Sequence, residues 1–432
     1  MINIENRFST DNNVFFLCIS KDFIFFHPSF IKNTAIVDFK LKKPMTEKVA
    51  FITDRYWPYS GGVEQASLSL ANGIRNQFSV RIINQDVKDG SLYNSYASSN
   101  AYHKSIDPNG NHIYNLRADS FAKKILFPLL LWQLPFVRSI NACGLFDYLY
   151  KFYKYAFYSQ MKSYLHDISL VQNFSSGYPG RLATEICSEK NIPLIHSPFV
   201  HFDKWGDSKC QMNAYCKADF VICPTCSYKE KFISRSQKNC KCIVIPPVTP
   251  DPVYLPLSDR PVKERYFLFL GRRELHKGLS FLIEAFSGNK HSISLVIAGP
   301  GKSIENNISA VIDLGEVDEN KKQLLLANCD FLCVPSTDET FGIVYTEAMS
   351  YRKPVIALNV APVNEIVKNG ETGILIEPGD TGSLRNAVST LENNEKIRLE
   401  MGAAAYKRYE ENYSGKKILT EIRKIYNQVL KF

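Results

Sequence analysis

The chain has 432 residues, 45% of them apolar and 22% charged, which excludes a disordered or fibrous protein and suits two domains better than one. Its 11 cysteines, an odd number in a long chain, argue against a secreted disulfide framework and for a reducing compartment. The net charge is +9, and residues 1–250 carry all of the excess with 29 Lys and Arg against 19 Asp and Glu; such a first half points to an anionic partner or to a solubilising surface.

The N-terminus, MINIENRFSTDNN, is polar and lacks an apolar signal-peptide core. The longest apolar stretch, Ile125–Val137, is 13 residues long and contains Pro128, Gln133 and Pro135. A spanning helix needs roughly 20 apolar residues, so a cytoplasmic protein is expected. Residues 1–47 hold three short runs rich in Phe, Ile and Val: Val14–Ser20, Phe23–His27 and Ala35–Phe39. They read as a β-rich extension with no assignable chemistry.

From Lys48 the grammar changes. VAFITD reads as a buried strand, followed by a Pro/Ser/Gly turn and a helix with Val63, Ala66, Leu70 and Ile74 on one face. Phe78–Asn84 reads as the next strand, and further strands are expected at Ile168–Gln172, Pro193–His196, Phe220–Cys223 and Ile243–Ile245. Strand, loop, helix, strand is the unit of a parallel α/β sheet. Residues 248–262 are proline-rich and read as a linker. The same grammar then restarts over 263–415. YFLFLG, SLVIAG, DFLCVP and PVIAL are strands, and Leu279–Phe286, Lys321–Ala327 and Phe341–Ser350 are helices. Residues 416–432 read as a C-terminal helix, with a return to the N-terminal domain (48–247) among the places open to it. Two doubly wound halves leave a cleft, and ligands in such folds sit beyond the carboxyl ends of the strands.

Four segments at those strand ends carry candidate chemistry. DETFGIVYTEAMSYRKPVIA holds Glu339 and Glu347 with seven residues between them. Glu339 follows a strand at a helix start, where unsatisfied N–H groups favour anionic or hydroxyl-rich ligands. Gly342 lets backbone approach a ligand closely, and Glu347 follows about two turns on. Two such carboxylates suit the hydroxyls of two sugar rings; taken alone they are a helix-start charge and a surface residue. FLGRRELHKGLSFLIEAF places Arg272 and Lys277 after a strand, flanked by Gly271 and Gly278. A guanidinium fork and an ammonium together suit a diphosphate, and a solvated basic loop is the plain alternative. DRYWPYSGGVE puts Gly61 and Gly62 between a strand and a helix, presenting N–H groups to phosphate or sugar. It matches neither the dinucleotide nor the nucleotide-triphosphatase glycine pattern. LIHSPFVHFDKWG holds His196 and His201 just past a strand, and either side chain suits a sugar hydroxyl or a structural role.

These four segments in this order resemble the large glycosyltransferase family 4, over roughly residues 48–425. The resemblance implies the GT-B fold, two facing Rossmann-like domains with an interdomain cleft. It also implies a retaining transfer from a nucleotide sugar, without a cofactor or a metal for the chemistry. Gly61 and Gly62 match the family's acceptor-side loop, Arg272 and Lys277 its diphosphate-binding pair, and Glu339 and Glu347 its paired glutamates. The first glutamate is expected on the donor sugar and the second on the ribose. Amides around Thr340, Phe341, Gly342 and Ile343 would meet sugar and diphosphate. The loop AGPG, with Gly299 and Gly301, and Leu314–Val317 resemble the base-binding region. "SPFVHFD" favours His201 over His196 as the N-domain histidine. The family's frequent IPNGVD is here IPPVTPD, which leaves contacts from that loop in doubt.

The expected partners are a UDP-, GDP- or ADP-linked sugar and a glycan or lipid-linked acceptor, in polysaccharide, lipopolysaccharide or glycolipid synthesis; no nucleic acid is expected. Within residues 123–165, Lys123, Lys124, Arg138, Lys151, Lys154 and Lys162 face only Asp147, with aromatics between them. That composition suits an anionic membrane surface, making the protein peripheral on the inner face of the membrane; the alternative is a pair of amphipathic helices packed on the domain. Two other readings compete. Six cysteines between Cys210 and Cys242 have spacings compatible with zinc, and a sugar-nucleotide epimerase would use the same fold.

Overall fold

The computed structural model describes residues 16–19, 22–25, 47–59, 61–87, 92–97, 104–133, 144–236, 239–253, 260–287, 292–304 and 310–431. The chain divides into two compact units, Met1–Thr46 and Glu47–Phe432. In the first, β1 (Phe16–Ile19) and β2 (Asp22–Phe25) form an antiparallel hairpin. These are two of the three expected runs; Ala35–Phe39 lies outside the described residues.

The second unit contains two sheets. In its N-terminal half, β3 (Lys48–Thr53), β4 (Ser79–Asn84), β6 (His112–Asn115), β7 (Leu170–Asn173), β8 (Leu194–His196), β9 (Phe220–Cys223) and β10 (Cys242–Val244) are parallel. A short antiparallel edge strand, β5 (Lys104–Ile106), closes the order β10-β9-β8-β7-β3-β4-β6-β5. The chain starts at β3, builds outward to β6, and returns on the other side of β3 at β7. That reversal is the topological switch point of this half. Val49, Ala50, Phe51 and Ile52 are all buried, because a parallel strand covered by helices on both faces reads as one apolar run.

The C-terminal half repeats the scheme with β11 (Tyr266–Leu270), β12 (Ser294–Ala298), β13 (Val311–Asp313), β14 (Leu332–Cys333), β15 (Val355–Leu358) and β16 (Gly373–Ile376). The order is β13-β12-β11-β14-β15-β16, all parallel. Its switch point lies between β11 and β14, the strands that lead into Arg272 and into Glu339.

The final helix, Gly415–Leu430, does return to the N-terminal half. Its Ile418, Ile422 and Tyr426 are buried in the core that contains Val49, Phe51, Leu70 and Ile74. Arg423 Nη2 donates to the carbonyl of Gly73 at 2.7 Å, and Tyr426 Oη to Gln172 Oε1 at 3.3 Å. Gly73 is small for a reason. A Cβ there would lie 2.4 Å from the Leu419 side chain, so its absence lets the two helices touch.

Two helices within residues 120–164 pack on the domain in the manner of the amphipathic alternative. The helices Ser120–Leu126 and Leu145–Tyr164 bury Ala122, Leu126, Leu149, Tyr153, Phe157 and Met161 against the domain. No described helix is long and apolar enough to cross a membrane.

Candidate functional site

β11 ends in Gly271, after which the chain makes a one-turn helix, Leu275–Lys277, and enters the helix Leu279–Phe286 through Gly278. Gly278 has φ +74, and a Cβ would lie 2.1 Å from the carbonyl oxygen of Pro335. The close approach presses this loop onto the segment that follows β14. It thereby aims Lys277 at Glu339, and Lys277 Nζ donates to Glu339 Oε1 at 2.7 Å with both side chains largely covered.

The two neighbouring arginines have different work. Arg273 has a side chain only 3% exposed, salt-bridged through both Nη atoms to Asp313 and bonded to the carbonyl of Lys302. It ties the end of β11 to β13 and is structural. Arg272 is half exposed and pairs, among the described residues, with the similarly exposed Glu274 at 2.7 Å. An exposed pair of this kind is worth little, so Arg272 can turn to a ligand at small cost. The structure thus joins Lys277 to Glu339 at the C-terminal switch point, with Arg272 exposed on the same loop after β11.

Glu339 itself lies in a turn rather than at a helix start. The helix runs Ile343–Ser350, beginning two residues later than the sequence pattern indicates. Gly342 is the cause: its φ of +92 is left-handed, and a Cβ would meet the buried Tyr345 ring at 2.5 Å. The helix has no side-chain cap, which leaves its first amides, from Ile343 on, for a ligand. Thr340 and the buried Phe341 lead into it. Glu347 is not a surface residue. It is buried in that helix and accepts from Lys322 Nζ at 2.7 Å, with Glu319 on the same ammonium at 2.9 Å. Burial disfavours the Lys322 charge, but the two carboxylates outweigh it and hold its pKa above the ordinary lysine value.

The loops resembling a base-binding region also meet. Gly299 N donates to the carbonyl of Gly315 at 2.8 Å, joining the AGPG loop to Leu314–Val317. Gly299 has φ +138 and touches the backbone of Gly271, where a Cβ would sit 2.0 Å from the carbonyl oxygen. Gly301 has φ +133 and faces Arg273, and Val317 packs on the C-terminal core.

In the N-terminal half, Gly61 caps the helix Gly62–Ile74. A Cβ on Gly61 would strike the Glu64 carboxylate, which Arg55 Nε holds at 3.0 Å; Gly62 faces open space. The two histidines separate clearly. His196 is wholly buried, with Nδ1 2.7 Å from Asn173 and Nε2 3.0 Å from Thr184. Burial pushes its pKa down to about 3, so it is a neutral structural residue. His201 is in the cleft, and its Nδ1 lies 3.2 Å from Asp338 Oδ2 in the C-terminal half.

Asp338 was not singled out from sequence, because nothing local marks it. It also accepts from Lys204 Nζ at 2.5 Å. Burial works against its charge, but Lys204 and His201 together hold its pKa below the ordinary carboxylate value. A second cross-cleft contact, likewise unmarked in sequence, caps the helix Cys226–Ser236. Its amides at Cys226 and Ser227 donate to the two oxygens of Glu365 at 2.9 and 2.8 Å.

Two of the six cysteines weighed for zinc, Cys216 and Cys240, are instead joined in a disulfide, which a reducing compartment does not predict. Among the described residues no group of three or more metal-ligating side chains converges.

Residues 257–408 match the family model described as glycosyl transferases group 1. That match covers about a third of the chain and lies wholly in its C-terminal half, where it takes in Arg272, Lys277, Glu339 and Glu347. An uncharacterized glycosyltransferase of Methanocaldococcus jannaschii is 29% identical over 224 residues, half of this chain and 61% of that one. The phosphatidyl-myo-inositol mannosyltransferase of Mycobacterium leprae is 30% identical over 187 residues, 40% of this chain and 49% of that one. The chain thus spans about half the length of the curated relatives it matches. Among solved structures, Anabaena HepE in complex with UDP and glucose superposes with a TM-score of 0.66 at 16% identity, over 88% of this chain and all of that one. Sucrose-phosphate synthase from Thermosynechococcus elongatus gives 0.68 at 18% identity, over 89% and 99%. These likenesses establish the GT-B architecture of two parallel-sheet halves.

Proposed function

We propose that the protein transfers a sugar from a nucleoside diphosphate sugar to a hydroxyl of a glycan or lipid-linked acceptor, with retention at the anomeric carbon. The observation that carries this is the Lys277–Glu339 pair at the switch point of the C-terminal sheet, on the loop that also carries the exposed Arg272. A donor sugar offers its hydroxyls to Glu339 while its diphosphate takes over Lys277 and Arg272. The bond from the anomeric carbon to the phosphate oxygen then breaks as the bond to the acceptor oxygen forms. The acceptor proton passes to the departing phosphate, and the nucleoside diphosphate leaves. Charge builds on that diphosphate in the transition state, where two preorganised cations act most strongly. In this reading Glu347, which pairs with Lys322, meets the ribose hydroxyls. With the developing charge met by side chains, the chemistry needs no resident metal. A UDP-sugar is the first donor to try, since a protein of this fold holds UDP.

The acceptor side carries a second, finer reading: a peripheral position on an anionic membrane. Phe121, Phe127, Tyr148 and Tyr155 are exposed around Lys124 and Lys151, and the Lys151 ammonium lies 5.3 Å from the Tyr148 ring centroid. Basic heads over exposed aromatics fit an anionic headgroup layer. Lys154 is committed to Glu185 at 2.7 Å, Lys162 lies on Tyr158 and the half-buried Lys123 also has a partner, so the lipid-facing charge narrows to Lys124 and Lys151; Arg138 lies outside the described residues.

The test is a thermal-shift screen of UDP-, GDP- and ADP-sugars, followed by transfer to an added acceptor. A stabilising nucleotide sugar that is consumed only with acceptor present is the expected result. Stabilisation with epimerisation of the sugar and no transfer would favour the epimerase reading instead.

A further inference from the structure

We infer that Trp205 is the stacking wall of an acceptor subsite that takes a pyranose ring; this deepens the glycosyl-transfer reading above and rests on it. Trp205 is 49% exposed, and an indole left half in water needs an explanation when it is also held still. The turn that carries it is closed by two amides, Lys204 N and Trp205 N, both donating to the carbonyl of His201 at 3.0 and 2.9 Å. The next residue, Gly206, has φ +85 and its carbonyl accepts from the buried Tyr215 hydroxyl at 3.0 Å. The indole lies at 31° to the His201 ring with centroids 5.2 Å apart. One side of the ring system is thus backed by imidazole, and the exposed remainder is a fixed aromatic surface.

Its place decides what that surface is for. His201 touches Asp338, the residue before Glu339, so Trp205 stands one side chain away from the segment that carries Glu339, on the opposite half of the cleft. The loop after β3, two strands away from β8 in the same sheet, opens at the same sheet end with Trp57 and Tyr59, which are 39% and 38% exposed. A lipid chain or a protein core would call for an apolar surround. Here the surround is His201, Lys204 and Asp338. A pyranose has both kinds of surface: a face of C–H groups, which an electron-rich ring attracts and shields from water, and a rim of hydroxyls. His201 spends Nδ1 on Asp338, and Nε2 is its second hydrogen-bonding atom. A rigid aromatic anchor loses little conformational entropy on binding, which suits a ligand with few apolar contacts.

The experiment compares wild type, Trp205→Ala and Trp205→Phe by saturation-transfer NMR. The probes are the methyl pyranosides of glucose, mannose, galactose and N-acetylglucosamine, and nucleotide-sugar thermal shifts are measured in parallel. At least one pyranoside should bind wild type, weaken about tenfold or more in Trp205→Ala, and stay within about threefold in Trp205→Phe. The nucleotide-sugar shift should be unchanged in all three. Equal pyranoside binding in Trp205→Ala overturns the subsite, as does wild type that binds nucleotide sugar but no pyranoside. If wild type shows no response to any nucleotide sugar, the glycosyl-transfer reading fails and the subsite with it.

Discussion

At the scale of single residues, the site works by contrast between neighbours. Arg272 and Arg273 are adjacent, yet one is half exposed and the other is locked on Asp313. Replacing Lys277 with alanine should lower kcat about 100-fold or more, because a preorganised cation at a developing anion is worth roughly 3–4 kcal/mol. Arg272→Ala should fall in the same direction, while Arg273→Ala should show first as lost stability. Steady-state kinetics and thermal denaturation on the three variants separate the roles. His196 and His201 make a similar pair. The unfolded-state pKa of His196 is near 6.5 and its folded value is about 3, so unfolding takes up a proton throughout that window. The stabilisation from its neutral form is therefore full above pH 6.5 and declines as pH falls toward 3, by about 1.4 kcal/mol per unit. Between pH 7 and 5 the His196→Gln variant should lose roughly 2 kcal/mol less than wild type in urea titrations. Equal losses would show that this imidazole does not set acid stability.

At the scale of elements, the phosphate-side loop is built on glycines that backbone contact makes irreplaceable. Gly278 is left-handed and within touching distance of Pro335. Gly278→Ala should destabilise the protein by roughly 2–4 kcal/mol and blunt nucleotide-sugar binding, through strain plus a displaced Lys277. Circular-dichroism melting and a binding titration measure both parts, and an unchanged melting temperature would refute the claim. This scale also shows what was legible in the sequence. The buried strands were plain, because Val49–Ile52 and Tyr266–Leu270 are unbroken apolar runs between turns. The start of the helix at Ile343 was not, because the helical pattern runs on through Phe341 and Gly342, and the contact of Gly342 with Tyr345 exists only in three dimensions. Glu347 looked like a surface charge for the same reason: its partner Lys322 lies 25 positions away on another helix.

At the scale of the second compact unit, its two halves meet through contacts whose partners lie more than a hundred positions apart, such as His201 with Asp338 and Cys226 with Glu365. No local pattern announces such pairs, which is why Asp338, Lys204 and Glu365 were invisible until the sheets were placed. The return of the final helix was open in sequence too. Its apolar stripe was readable, but the core that receives it was not. A chain ending at Ser414 should lose Ile418, Ile422 and Tyr426 from the N-terminal core, and Tyr426→Ala alone should cost about 3–5 kcal/mol. We expect the truncated chain to be aggregation-prone and the point variant soluble with a lower melting temperature; solubility assays and calorimetry check both.

That returning helix also imposes an order on synthesis. Domains on a ribosome ordinarily fold from the N-terminus as they emerge. Here the first sheet is translated early, but its last core layer arrives only after the whole C-terminal half has been made. The later-born half can therefore finish first, leaving the earlier one waiting with an open apolar flank. Any chaperone that attends this chain during translation should engage residues 48–250, and should let go only when the helix at Gly415–Leu430 docks.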